Sequence, residues 1–192
     1  MIPRPNDPAG SDLPRTVGFA SRPLGLLDGR SVRPPSPDGQ VARRRLCQRL
    51  HAGLGGRLLL VSAPAGFGKS CLAIEFCEAL PAHWRSLWLG LSPRDADPGR
   101  FLERLLEGLQ QHCPAVGGQA MGLLKMRQRH PPFALEQWPD TLVAVLALYF
   151  PADTPLLLVL AAYHLVPGPV LDGLLPAFLT HLPACLVLLF TS

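Results

Sequence analysis

The chain has 192 residues, 48% of them hydrophobic and 17% charged, with a formal net charge of +4, enough for one domain with a real core. Its longest apolar runs, 142–150 and 156–166, are broken by Pro151, Asp153 and Pro155, short of the roughly 18–20 residues of a membrane-spanning helix, so no membrane partner is expected. No basic stretch leading into an apolar run opens the chain, and its five scattered cysteines (Cys47, Cys71, Cys77, Cys113, Cys185) form no Cys-x-x-Cys pair; a secretory signal, a disulfide framework and a zinc ribbon are disfavoured, and a reducing cytoplasm is expected.

Residues 1–37 hold eight prolines and no sustained apolar period, which predicts a largely disordered segment ahead of a folded domain over 38–192. A helix is expected over Gln40–His51, with Val41, Leu46 and Leu50 apolar and Arg43, Arg44, Arg45 and Arg49 basic, ending at Gly53, Gly55 and Gly56. Three consecutive arginines fan around a helix, so they read as a solvated face rather than a nucleic-acid patch. Leu58–Val61 is rich enough for a buried strand. A turn-rich loop follows over Ser62–Lys69, then a helix over Ser70–Leu80 with Leu72, Ala73, Phe76 and Leu80 on one face, stopped by Pro81.

Trp84–Leu91 is a second strand. Asp97–Pro98 then pairs an N-cap acid with proline at the first helical position, and Phe101, Leu102, Leu105, Leu106 and Leu109 keep helical spacing up to Cys113–Pro114. Residues 114–133 read as irregular or weakly helical and Ala134–Phe150 as a helix. A third strand is expected over Leu156–Leu160, a short helix over about Val170–His181, and a fourth strand over Leu186–Phe190. All 18 lysines and arginines precede residue 141, and the last 52 residues hold only Asp153 and Asp172 as charges. A tail this apolar belongs inside the fold or under another protein surface. Strands alternating with helices imply an α/β fold, a parallel sheet with helices on both faces.

Ala63-Pro64-Ala65-Gly66-Phe67-Gly68-Lys69-Ser70 lies between an apolar strand and a helix, the setting in which a glycine-rich phosphate loop is credible. Gly66 and Gly68 let backbone N–H groups approach an anion, and the helix N-terminus adds partial positive charge. Lys69, one of only two lysines beside 16 arginines, would bring an ammonium to the β/γ-phosphates, and the Ser70 hydroxyl would ligate Mg²⁺. Ala63 stands where the general motif begins with glycine. Pro64, Ala65, Gly66, Phe67, Gly68, Lys69, Ser70 and Cys71 are the nucleotide-binding candidates, for ATP or ADP with Mg²⁺. The six histidines (His51, His83, His112, His130, His164, His181) show no metal-ligand spacing. Trp84, Trp88 and Trp138 read as packing residues, and Cys71 and Cys77 as core thiols.

The loop Ser-Ala-Pro-Ala-Gly-Phe-Gly-Lys-Ser resembles that of the MalT-like, large LuxR-type transcription activators, a branch of the STAND nucleotide-switch P-loop ATPases. The resemblance continues in Trp88-Leu89-Gly90-Leu91, in the Asp95–Asp97 turn with Phe101-Leu102, in Leu158–Val166 and in Leu188–Ser192, covering roughly residues 40–192. It implies an ATP- or ADP-binding switch domain, cut after its fourth strand, whose relatives bind DNA through a C-terminal helix-turn-helix. It also implies partners in the absent C-terminal domains, or self-association through the apolar C-terminal part. Relatives carry two acids after the third strand. Here those positions are Ala161 and Ala162, which offer neither oxygen ligand nor proton acceptor, so impaired hydrolysis and no catalytic residue are expected. Natural loss and deliberate substitution both fit the pair, its adjacency leaning slightly to the second. Substitute acids are weak: Asp95 and Asp97 sit in a loop from which such sites are built, but capping explains Asp97 fully, Asp153 lies at the wrong end of the sheet, and Glu75 is expected on a solvated face. His164 matches a position beside the nucleotide in relatives, where a structural and a sensing role are equally open. Arg43–Arg45 with Arg49 lie in the pre-strand segment that flanks the nucleotide's base in relatives, an alternative to the solvated face. A small P-loop kinase or hydrolase acting on a metabolite, and an interaction-only fragment with an empty site, are the alternatives.

Overall fold

A computed structural model describes residues 32–112, 118, 122, 155–166, 168 and 175–192. The disordered segment expected over 1–37 lies mostly outside these residues, as do the stretch expected over 114–133, the helix expected over Ala134–Phe150, and Cys113, His130, Trp138, Asp153 and Asp172. In chain order the described elements are α1 (Arg44–Ala52), β1 (Leu58–Val61), α2 (Lys69–Glu78), β2 (Arg85–Gly90), α3 (Pro98–His112), β3 (Leu156–Ala161), α4 (Leu175–His181) and β4 (Leu186–Thr191). Short 3₁₀ turns at Pro93–Ala96 and Tyr163–Leu165 follow β2 and β3. None of the described helices is long and apolar enough to cross a membrane.

The four strands form one parallel sheet in the order β1-β4-β3-β2. β3 and β4 are central, and all twelve of their residues are buried, which is why they read as continuous apolar runs. Alternation along the strands splits the core in two. Leu87 and Leu89 of β2, Leu156, Leu158 and Leu160 of β3, and Leu186, Leu188 and Phe190 of β4 face α3 and α4. Trp88, Leu157, Val159, Ala161, Val187 and Leu189 face α1 and α2. Helices thus cover both faces, and the two strands of the apolar tail, β3 and β4, are interior.

Local chemistry fixes the helix positions. Asp97 Oδ1 accepts the Arg100 N–H at 2.8 Å, capping α3, with Pro98 first in the helix where its missing N–H matters least. Gly108 lets α3 press onto β2, because a Cβ there would stand 2.7 Å from Leu87 Cδ1. α2 buries Leu72, Ala73, Ile74, Phe76 and Cys77, more than one face, because α1 covers its outer side; the His51 ring meets Phe76 edge-on at 5.0 Å.

β1 corrects the sequence reading. It is an edge strand, and only Leu59 is buried (7% exposed), while Leu58 and Leu60 are 45% and 62% exposed. Among the described residues β1 pairs with β4 alone, and Leu58 and Leu60 belong to neither core cluster. The strand, among the described residues, keeps the composition of a buried one without its cover.

Candidate functional site

Strand register brings the carboxyl ends of all four strands to one edge, with Val61, Thr191, Ala161 and Gly90 in line. β1 feeds α2 on one face and crosses to the far strand β2, whereas α3 and α4 return on the other face. Opposed connections leave a crevice at the strand ends, where open parallel sheets take their ligands. The loop 62–68 stands there. The Ala63 N–H donates to Ser192 O at 3.3 Å and the Ser192 N–H to Val61 O at 3.0 Å, so the residue after β4 holds the start of the loop.

Gly66 and Gly68 take φ of +83° and +72°. A Cβ at either would strain the backbone, and Gly68 is also the residue from which α2 starts. Its carbonyl accepts the Leu72 N–H at 2.9 Å, the first bond of the helix. Lys69 folds back over the loop, its Nζ donating to the carbonyls of Ala63 (2.5 Å) and Pro64 (3.0 Å). An ammonium has three donors, which leaves one for a ligand. Pro64, Ala65, Phe67 and Ser70 are exposed, and Cys71 is half-buried. The chemistry available is therefore anion binding by oriented amides, one ammonium and a helix N-terminus. Ser70 is the loop's own hydroxyl at the first turn of α2. Among the described residues no group of three or more His, Cys, Asp or Glu could hold a metal.

Ala161 is 6% exposed and points to the α2 face. It lies two strands from Val61, about 10 Å at the spacing of paired strands. Ala162 takes φ +61°, ψ +39°, the only non-glycine at positive φ among the described residues. Its N–H donates to Thr191 Oγ1 at 3.2 Å. His164 is exposed beside it.

Three side chains depart from expectation. Asp95 is buried and committed: its carboxylate accepts from Ser92 N–H (2.7 Å), Ser92 Oγ (2.8 Å) and Arg104 Nη1 (2.6 Å). Burial opposes its ionisation, but the hydrogen bonds from Arg104 and Ser92 outweigh this and hold its pKa below the usual carboxylate value. It closes the turn after β2, its carboxylate committed to Ser92 and Arg104. Glu75 is half-buried, not solvated, and its two oxygens accept the Arg43 N–H at 2.9 and 3.1 Å. Arg43 precedes α1 instead of lying on it. Its Nη1 donates to the carbonyls of Phe67 (2.8 Å) and Gly68 (3.3 Å), while Arg44, Arg45 and Arg49 are exposed as expected. Arg43 and Glu75 are the site residues that periodicity missed.

Beside the loop, a groove of about 610 Å³ runs between α1 and β1, lined by Leu46, Leu50, Leu58, Leu60 and Phe67 with Arg43 and Lys69 at its polar end.

Together these features define a parallel α/β domain consistent with the P-loop NTPase class. No family profile matches the chain. It is similar to the HTH-type transcriptional regulator MalT of Cronobacter sakazakii (strain ATCC BAA-894), with 30% identity over 167 residues. That match takes in 87% of this chain and 18% of the relative, so the chain spans under a fifth of the regulator's length. The similarity supports a relationship to MalT-like regulators.

Proposed function

We propose that this domain is the ATP- or ADP-binding switch module of a MalT-like transcriptional regulator of the STAND type, binding nucleotide while hydrolysing it poorly. The observation that carries the reading is the loop itself. Two glycines at positive φ, a lysine folded over the loop and a helix N-terminus converge at the carboxyl end of β1. Gly66, Phe67, Gly68, Lys69 and Ser70 would receive the phosphates through backbone N–H groups, with Pro64, Ala65 and Cys71 shaping the loop around them. Mg²⁺, when it arrives with ATP, supplies charge neutralisation on the phosphates.

Binding needs none of the residues after β3, but turnover does. Positions 161 and 162 carry no oxygen that could order a metal or a water, and Asp95 is committed elsewhere. The backbone at 162 supports the comparison with acid-bearing relatives, because the left-handed conformation there is one that Asp and Asn adopt far more readily than Ala. DNA contact belongs, on this reading, to a helix-turn-helix of the larger regulator. Further partners are its other domains, or a second copy meeting apolar surface such as Leu58 and Leu60.

Isothermal titration of the chain with ADP and with ATP·Mg²⁺ tests the proposal. Saturable one-site binding of both is the expected result, and absence of heat with either overturns it.

A further inference from the structure

We infer that Arg43 is a positioning residue for the phosphate loop, fixing the peptide groups whose N–H vectors meet an anion. The inference rests on the nucleotide-binding reading and extends it to a residue outside the motif.

Two cations hold four carbonyls of the loop: Lys69 those of Ala63 and Pro64, Arg43 those of Phe67 and Gly68. In a planar trans peptide the C=O and the following N–H point in opposite directions. Binding the Phe67 and Gly68 carbonyls therefore turns the N–H groups of Gly68 and Lys69 away from Arg43. These peptides need such restraint, because glycines at 66 and 68 make reorientation of the intervening peptide planes cheap. The guanidinium packs directly against Gly68, where a Cβ would meet Arg43 Nη2 at 2.5 Å.

Arg43 is itself held from the loop's own helix. Both Glu75 oxygens accept its backbone N–H, and Gln40 Nε2 donates to Cys71 O at 3.2 Å and to Glu75 Oε2 at 3.4 Å. The circuit closes: loop to α2, α2 through Glu75 to the Arg43 backbone, and the Arg43 side chain back to the loop. Both side-chain bonds come from the one nitrogen Nη1, so an ammonium brought to the same place can make part of the same contact.

The test uses the full chain, ¹⁵N-labelled, as wild type, Arg43→Ala and Arg43→Lys. In the nucleotide-free protein, the Gly68 and Lys69 amide resonances should shift and broaden in Arg43→Ala, while those of Ile74, Phe76 and Cys77 stay in place. Titration should show ADP and inorganic pyrophosphate weakened by the same factor, about tenfold, with partial recovery in Arg43→Lys. Unmoved Gly68 and Lys69 amides would overturn the inference, as would movement throughout α2, which means general support of the fold. A loss confined to ADP also contradicts it, since Arg43 would then touch the nucleoside. Should the wild type bind neither ligand, the nucleotide reading fails, and the amide comparison alone decides the role of Arg43.

Discussion

The Ala162 N–H donates to the Thr191 hydroxyl at 3.2 Å, joining the residue after β3 to the last residue of β4. The bond holds Ala162 in a left-handed conformation, φ +61°, which an L-residue with a Cβ adopts at a cost of about 1–2 kcal/mol. Thr191 is 1% exposed, so its hydroxyl has no water to turn to. Position 162 is strained by its residue, not by its surroundings.

Ala162→Gly should therefore stabilise the domain by about 1 kcal/mol, a rise in Tm of about 3 °C for a chain of this size. Thermal unfolding followed by circular dichroism measures it. An unchanged or lowered Tm would mean that the strain is relieved elsewhere in the turn.

Restoring acids as Ala161→Asp/Ala162→Asp should raise single-turnover hydrolysis of ATP by orders of magnitude while changing ADP affinity little. The same variant should lose stability without nucleotide, about 1–3 kcal/mol, because position 161 is buried in the apolar cluster on the α2 face. Mg²⁺ with ATP should recover part of that loss. Equal hydrolysis by both chains would show that the missing acids are not what limits turnover.

Much of this arrangement was legible in the sequence, because the signals were local. The apolar runs of β3 and β4, Asp97–Pro98 at the start of α3, and the glycine spacing of the loop each follow from short-range rules, and each element lies within about a residue of its expected end. What failed was set by distant partners. β1 has the composition of a buried strand, yet the pairing order put it at an edge. The apolar spacing places Arg43 in a helix expected from Gln40, whereas α1 starts at Arg44. That shift takes Arg43 off the solvated fan and lays it on the loop. No periodicity reports such a contact, since Glu75, which holds the Arg43 backbone, lies 32 residues away. Asp95 looked available because its partner Arg104 comes from α3.

Asp95→Asn should destabilise the fold by about 3 kcal/mol near neutral pH, since it leaves Arg104 beside a neutral group in a largely buried pair. The folded-state pKa of Asp95 lies below its unfolded value. Its contribution is therefore complete above the unfolded pKa, near 4, and is lost as pH falls through the lower folded value. Urea titrations of both chains between pH 7 and pH 2 should show the gap constant above about pH 5 and closing only in acid. A gap that grows on acidification would contradict this sign.

Cys77 should resist alkylation in the native state. Burial pushes its pKa up to about 11, with Arg33 and Ser86 opposing, so at pH 8 about one thiol in a thousand is the reactive thiolate. Half-buried Cys71, at the loop end of the same helix, should label faster, and ADP should slow that labelling. Mass spectrometry after iodoacetamide treatment reads both sites, and equal labelling would mean that α2 opens readily.

The central claim is that the loop binds nucleotide through its lysine and oriented amides, and Lys69→Ala tests it most directly. Lys69 is half-buried and donates to two loop carbonyls, so the substitution should leave the fold intact. Calorimetric titration with ADP should show the variant at least tenfold weaker than the wild type, a loss of about 1.4 kcal/mol or more from one charge-assisted phosphate contact. Equal affinity in the two proteins would contradict the account.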